Sequence, residues 1–212
     1  MVTDLIEVDA EHPAKEALAR AGAIIRRGGI VATPTDALYA LIADPFNLQA
    51  VQRVFEAKGR EFTQALPMVV DDHLMAEDLI GEVSKRFLVL ARRFWPGPLT
   101  MIVRASAKVP LKVTGNTGRL ALRQVRSPVV NGLIEWLGQP LICTSANLSG
   151  QPTCRTGIEV FGTMDGRLDL VLDGGACVGS GPTTIDITEP WWKVIREGAI
   201  PEREIAECLK GV

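Results

Sequence analysis

The sequence predicts an α/β (α+β) fold, a twisted mixed sheet with helices around it. Three observations predict it. Amphipathic stretches with apolar residues three and four apart alternate with short apolar runs closed by Pro, Gly or polar turns. Several of those runs follow one another with only loops between, so the strict strand–helix–strand rhythm of an all-parallel sheet is missing. No internal repeat, low-complexity tract or linker divides the chain, and residues 1–212 are read as a single domain.

The first helical stretch places Ala14, Ala17, Leu18, Ala21, Ile24 and Ile25 on one side. Pro13 suits its first position, Arg26 and Arg27 suit the negative end of its dipole, and Gly28-Gly29 stops it. Ile30 to Thr33 reads as a buried strand that Pro34 ends. A second helix starts after Asn47, a good cap, turns Val51, Val54 and Phe55 inward, and ends near Ala57 because Gly59 interrupts it. Leu66 to Val70 is a strand, and Ser84 to Phe94 a helix stopped by Trp95-Pro96-Gly97-Pro98. Strands follow at Leu99 to Val103 and Leu120 to Arg123, then a helix from Val129 to Leu137 and a strand from Leu141 to Thr144. Leu170 to Leu172, Thr183 to Ile187 and Lys193 to Arg196 are further short strands, and Pro201 opens a last helix through Ile205 and Leu209.

Composition narrows the function. The net charge of −2 weighs against binding nucleic acid over the whole surface, but leaves room for a local basic cleft. The four cysteines form no Cys-x-x-Cys pair, and His12 and His73 are the only histidines, so a zinc site is not expected. Reduced thiols fit a cytoplasmic protein. The start, Met1 to Glu7, lacks the basic and apolar segments of a signal peptide, and no apolar run approaches membrane-spanning length.

Four segments carry chemistry. Lys58-Gly59-Arg60 would aim two cations at one anion if extended, since alternate residues then share a side; a solvated basic turn is the other reading. Thr144-Ser145-Ala146-Asn147-Leu148-Ser149-Gly150 follows an apolar strand, where ligands gather in open sheets, and Ser145 and Asn147 are again two apart. It also reads as an ordinary polar turn. Thr33-Pro34-Thr35-Asp36 either offers a hydroxyl to a pocket or is a turn in which Asp36 bonds its own backbone. Arg123, ending an apolar run, suits either a ligand carboxylate or a structural ion pair. Phosphate-binding glycine loops and a nucleophile elbow are missing, and two histidines distant from these loops make a Ser-His-Asp triad a poor fit. Catalysis would rest on positioning and charge.

In this order the segments resemble the YrdC family of threonylcarbamoyl-AMP synthases. The resemblance runs over about residues 10 to 200, through Gly28 to Leu41, Lys58-Gly59-Arg60, Phe94 to Thr100, Leu120 to Arg123, Thr144 to Gly150, Pro182-Thr183-Thr184-Ile185-Asp186 and Arg196-Glu197-Gly198. It implies a mixed, largely antiparallel sheet with a concave, often positive surface. It implies an adenylyl transfer in which L-threonine, bicarbonate and ATP give threonylcarbamoyl-AMP and pyrophosphate, for threonylcarbamoyl-adenosine modification of tRNA by a downstream transferase. Lys58 and Arg60 would be catalytic and, with Thr144, Ser145, Asn147 and Arg196, would bind ATP. Thr35, Arg123 and Thr183 would bind threonine, Arg123 through its carboxylate. Mg²⁺ would accompany the phosphates, without a metal site made by the protein. The chain departs from the family pattern at Glu61, where Pro is usual, and at Ala40 and Ile42, where smaller residues are usual. The second of these departures, at Ala40 and Ile42, resembles the sister YciO branch. The alternative is therefore a nucleotide-binding paralogue that binds tRNA or double-stranded RNA without making the product.

Overall fold

In a computed structural model the chain is described over residues 2–212; Met1, first residue of the N-terminal stretch read above, lies outside them. Ten strands form one sheet in the order β1-β8-β2-β3-β7-β4-β6-β5-β9-β10. They are β1 (Asp4–Glu7), β2 (Val31–Thr33), β3 (Ala40–Ala43), β4 (Met68–Val70), β5 (Leu99–Arg104), β6 (Arg119–Gln124), β7 (Leu141–Ser145), β8 (Leu170–Asp173), β9 (Thr183–Asp186) and β10 (Lys193–Arg196). Five neighbouring pairs are antiparallel and four parallel, so the sheet is mixed, with antiparallel pairing ahead by one. The helices are α1 (Lys15–Arg26), α2 (Leu48–Lys58), α3 (His73–Leu79), α4 (Lys85–Phe94), α5 (Pro128–Leu137), α6 (Gly157–Met164) and α7 (Glu202–Cys208).

Caps explain several boundaries. Asn47 Oδ1 accepts the amides of Gln49 and Ala50 and starts α2. Gly59 ends it in the left-handed region, at φ 60°, which a glycine enters without Cβ strain. Pro13 does not open α1 as expected; the helix begins two residues later, after Ala14. The strand β3 falls inside a continuous apolar stretch, and the short helices α3 and α6 begin at Asp72 and Thr156 caps.

Alternation along the strands sends side chains into two cores. On one face Leu41, Met68, Leu99, Met101, Leu122 and Ile142 pack with residues of α2, α3, α4, α6 and α7. On the other, Val31, Ile42, Val69, Leu141, Leu170 and Leu172 pack under α1 and α5. That second core takes no strand residue from β5, β6, β9 or β10. The β5, β6 and β9 part of the second face lies outside that core and carries the polar residues Thr100, Arg104, Arg119 and Arg123 beside the Ile102–Ala121 pair.

Candidate functional site

The ends of α2 and β7 meet through Lys58. Its side chain is buried, 3 % exposed. The ammonium donates to Ser145 O (2.5 Å), Asn147 Oδ1 (2.8 Å) and Asn147 O (3.1 Å), with Ser145 Oγ at 3.4 Å. Lys58 O in turn accepts the amide of Ser149 at 2.8 Å. The loop is also knit internally. Ser145 Oγ donates to Asn147 Oδ1 (2.6 Å), and Asn147 Nδ2 to Gln151 O (2.5 Å). Burial first, and the Arg60 charge second, pull Lys58 down to about 8.

The extended geometry expected for both segments is corrected here, for one reason: both turn. Gly59 reverses the chain, and Arg60 N bonds Phe55 O. Asn147 N bonds Ser145 O, two residues back. Lys58 and Arg60 are adjacent through a helix cap instead. Arg60 donates to Ala65 O at 2.8 Å, while its buried Nε has no partner among the described residues, and burial pulls its pKa down. Glu61 is exposed and its carboxylate lies within 3.4 Å of the Thr63 hydroxyl.

A second cluster joins residues 87 positions apart. Arg123, 7 % exposed, donates through NH2 to Asp36 Oδ2 (2.5 Å) and through Nε to Gly97 O (2.8 Å). Asp36 Oδ1 is buried and unpaired, as is the hydroxyl of Thr33. Thr35 makes the local turn, donating to Leu38 O and accepting from the amides of Ala37 and Leu38. The 174–182 loop lies over this turn: Cys177 Sγ is 3.4 Å from Thr35 O, and a Cβ on Gly179 would stand 2.3 Å from Asp36 O. The phenol of Tyr39 meets Asp173 Oδ1 (3.1 Å) and Gly175 O (2.9 Å) and accepts the Gly174 amide. Burial raises its pKa. Cys143 sits beneath Arg123, and burial pushes its thiol up to about 12.

Arg123 also belongs to a row across the β5, β6 and β9 part of the second face. The β5–β6 register puts Thr100 one step beyond the Met101–Leu122 pair, opposite Arg123. Thr100 pairs with Thr184, and Thr184 with Arg196. In-register partners share a face, so Arg123, Thr100 and Thr184 project from one side, and Arg196 stands opposite Thr184 after a register irregularity in β10. Two expected site residues do not project from that side. Thr183 is fully buried on the other face, where its hydroxyl donates to Ile200 O (2.7 Å) and accepts from Ile200 N (3.0 Å). Thr144 is buried beside Leu41, on the face opposite Ser145. Arg196 is exposed on the edge strand and bonds Pro182 O. Sequence reasoning therefore missed Asp36 as Arg123's partner, and Thr100 and Thr184 as its neighbours on the row. Strand period would have separated Thr184 from Thr183; nothing local signals the Asp36–Arg123 contact.

Other features lie apart. A cleft of about 490 Å³, lined by Phe46, Leu74, Met75, Leu79 and Pro140 among others, opens at the opposite ends of α2 and β7 from Lys58. Among the described residues no three His, Cys, Asp or Glu side chains stand together as a metal cluster. No helix there is long and apolar enough to cross a membrane.

The α/β sheet thus brings two buried cations, Lys58 and Arg123, among polar loops at its strand ends. Comparison with known proteins makes this more specific. The Sua5/YciO/YrdC family model, described as telomere recombination, matches residues 23–198, and the chain belongs to that family. It is 35 % identical over 190 residues to the threonylcarbamoyl-AMP synthase of Pyrococcus abyssi and 34 % identical over 195 residues to that of Bacillus subtilis. These alignments span 89 % and 91 % of the chain and 56 % of each relative, so the chain spans little over half their length. The crystal structure of P. abyssi Sua5 complexed with L-threonine superposes with a TM-score of 0.94 at 34 % identity, covering 99 % of this chain and 62 % of that one.

Proposed function

We propose that this chain is an L-threonylcarbamoyladenylate synthase, joining L-threonine, bicarbonate and ATP into threonylcarbamoyl-AMP with release of pyrophosphate. The observation that carries the reading is Arg123, buried at the end of a polar row and held by Asp36 and Gly97 so that its remaining N–H groups suit a carboxylate. The likeness to a chain complexed with L-threonine supports it. Threonine's carboxylate would meet Arg123, with Thr100, Thr184 and the Thr35 turn around it.

The chemistry needs charge stabilisation. The amine of threonine condenses with bicarbonate to a carbamate, its proton leaving with the hydroxide of bicarbonate as water. A carbamate oxygen attacks the α-phosphorus of ATP, and the bond to pyrophosphate breaks. Negative charge grows on phosphate oxygens, which Arg60 would stabilise, with Ser145 joining it once its hydroxyl turns from Asn147 Oδ1 and with Arg196 reaching the nucleotide from the far strand. Mg²⁺ would arrive on the phosphates, held mainly by them and by water. The product is a mixed anhydride, so an acyl-accepting step must follow; the reading assigns it to a transferase acting on tRNA adenosine in the cytoplasm. RNA binding by the chain itself is less favoured: on the second face of β5 and β6 Arg119 is paired with Asp186 and Glu189, and Arg104 with Glu189.

The test is pyrophosphate release from ATP. It should require both L-threonine and bicarbonate, and its absence alongside an active relative would end the synthase reading.

A further inference from the structure

We propose that Lys58 is a positioning residue: it folds and holds the Ser145–Gln151 loop, while the contacts to a bound anion come from Arg60 and from groups that the loop presents. An ammonium has three N–H groups. Here three oxygens of the loop lie within 3.1 Å of it, and a fourth, Ser145 Oγ, lies at 3.4 Å. Two of the acceptors are main-chain carbonyls of residues 145 and 147, so the side chain spans the turn that the amide of Asn147 makes onto Ser145 O. The main chain of Lys58 holds the same loop, through its carbonyl and the amide of Ser149. A phosphate oxygen reaching Lys58 would have to break into this set of acceptors, weakening the hold on Ser145 O and Asn147 Oδ1 or leaving Asn147 O without its donor. Arg60 is built the other way: it donates once, to Ala65 O, and its buried Nε has no partner among the described residues.

The two cations thus divide the work. Lys58 is the last residue of α2, so its charge also faces that helix's own carbonyl end, where a cation is favoured. Arg60 and the thiol of Cys154 are the titratable groups that act on it. With Lys58 removed, Asn147 Oδ1 keeps one donor, Ser145 Oγ, and Ser145 O keeps the Asn147 amide. Asn147 O is left without the donor it has here. The loop should then lose its shape before any nucleotide arrives.

The inference rests on the reading that this site takes a nucleotide, so its test has an arm that uses none. In Lys58→Met, hydrogen exchange at Asn147 Nδ2 and at the Ser149 amide, followed by NMR on the protein without nucleotide, should speed up at least about ten-fold, the scale of one lost hydrogen bond. Exchange unchanged from wild type would overturn the proposal. In the second arm adenosine, AMP, ADP and ATP are titrated by calorimetry. Lys58→Met should weaken all four by one common factor, whereas the loss in Arg60→Met should grow with the number of phosphates. A loss in Lys58→Met that grows phosphate by phosphate would overturn the proposal. If wild-type protein binds none of the four, the nucleotide reading fails and the exchange arm still decides the role of Lys58. If Lys58→Met does not fold, Asn147→Ala takes its place: it keeps the lysine, and a common-factor loss in it supports the inference while a phosphate-dependent loss refutes it.

Discussion

The Lys58 junction and the Arg123 cluster are both buried cation sites at strand ends, and they are finished differently. At Lys58 the three N–H groups and the side chains of Ser145 and Asn147 find partners within the loop. Around Arg123 the ion pair with Asp36 leaves Asp36 Oδ1 unsatisfied, and three residues before Asp36 the hydroxyl of Thr33 is unsatisfied too. A buried polar group without a partner costs about 1–3 kcal/mol. A closed network is what a scaffold needs, whereas an open one is worth keeping where a ligand completes it. Arg60 falls with the second kind, through its unpaired Nε.

The sharpest way to break this comparison is Arg123→Met. It leaves the Asp36 carboxylate buried without its cation, which should cost about 3–5 kcal/mol in a denaturant unfolding experiment. It should also abolish the response of pyrophosphate release to threonine. A variant as stable as wild type would mean that the Arg123–Asp36 contact does not hold the turn to the sheet. Arg60→Met should separate binding from stability. Nucleotide affinity by calorimetry should fall about 10- to 100-fold, the worth of one or two hydrogen bonds to charge, with a smaller cost in unfolding, about 1 kcal/mol, for the lost bond to Ala65 O. Thr183→Val should do the reverse. Losing both bonds to Ile200 should cost about 1–3 kcal/mol of stability, and the Michaelis constant for threonine should stay unchanged, while Thr184→Val should raise it.

The smallest effect is on pH. An amine pulled from its ordinary 10.5 to about 8 keeps its charge below that value and loses it above. Nucleotide affinity should therefore be flat towards acid and fall a few-fold as pH rises through about 8, as Lys58 gives up a donor and its charge. The step should vanish in Lys58→Met. A rise in affinity through the same range would contradict both the direction and the role.

Most of the sheet was legible because its strands are apolar and end in recognisable turns, as Leu141 to Ser145 does. Asn47 and Gly59 announced the limits of α2. The strand β1 was missed because it is an edge, with most of its residues exposed, and β3 because Tyr39, Ala40, Leu41, Ile42 and Ala43 give no alternation to read. In the site, the residue types were legible and their directions were not. Thr35 and Asp36 are neighbours with similar local habits, yet Thr35 spends its hydroxyl on its own turn while Asp36 crosses to Arg123. Only the sheet order, which sets β6 four places from β2, makes that crossing intelligible.

The same sheet order has a consequence for how the molecule is made. The first strand and the second never pair, because β8 is inserted between them; Asp4 meets Leu170, and so does Val31. As the chain leaves the ribosome, β1 has no partner until more than 160 further residues have followed it, and β2 has only β3 beside it. Contacts of such sequence separation are late and slow to close. The turn that carries Thr35 and Asp36 hangs from β2, so a polypeptide released before residue 173 would lack the brace that Tyr39 draws from Asp173 and Gly175.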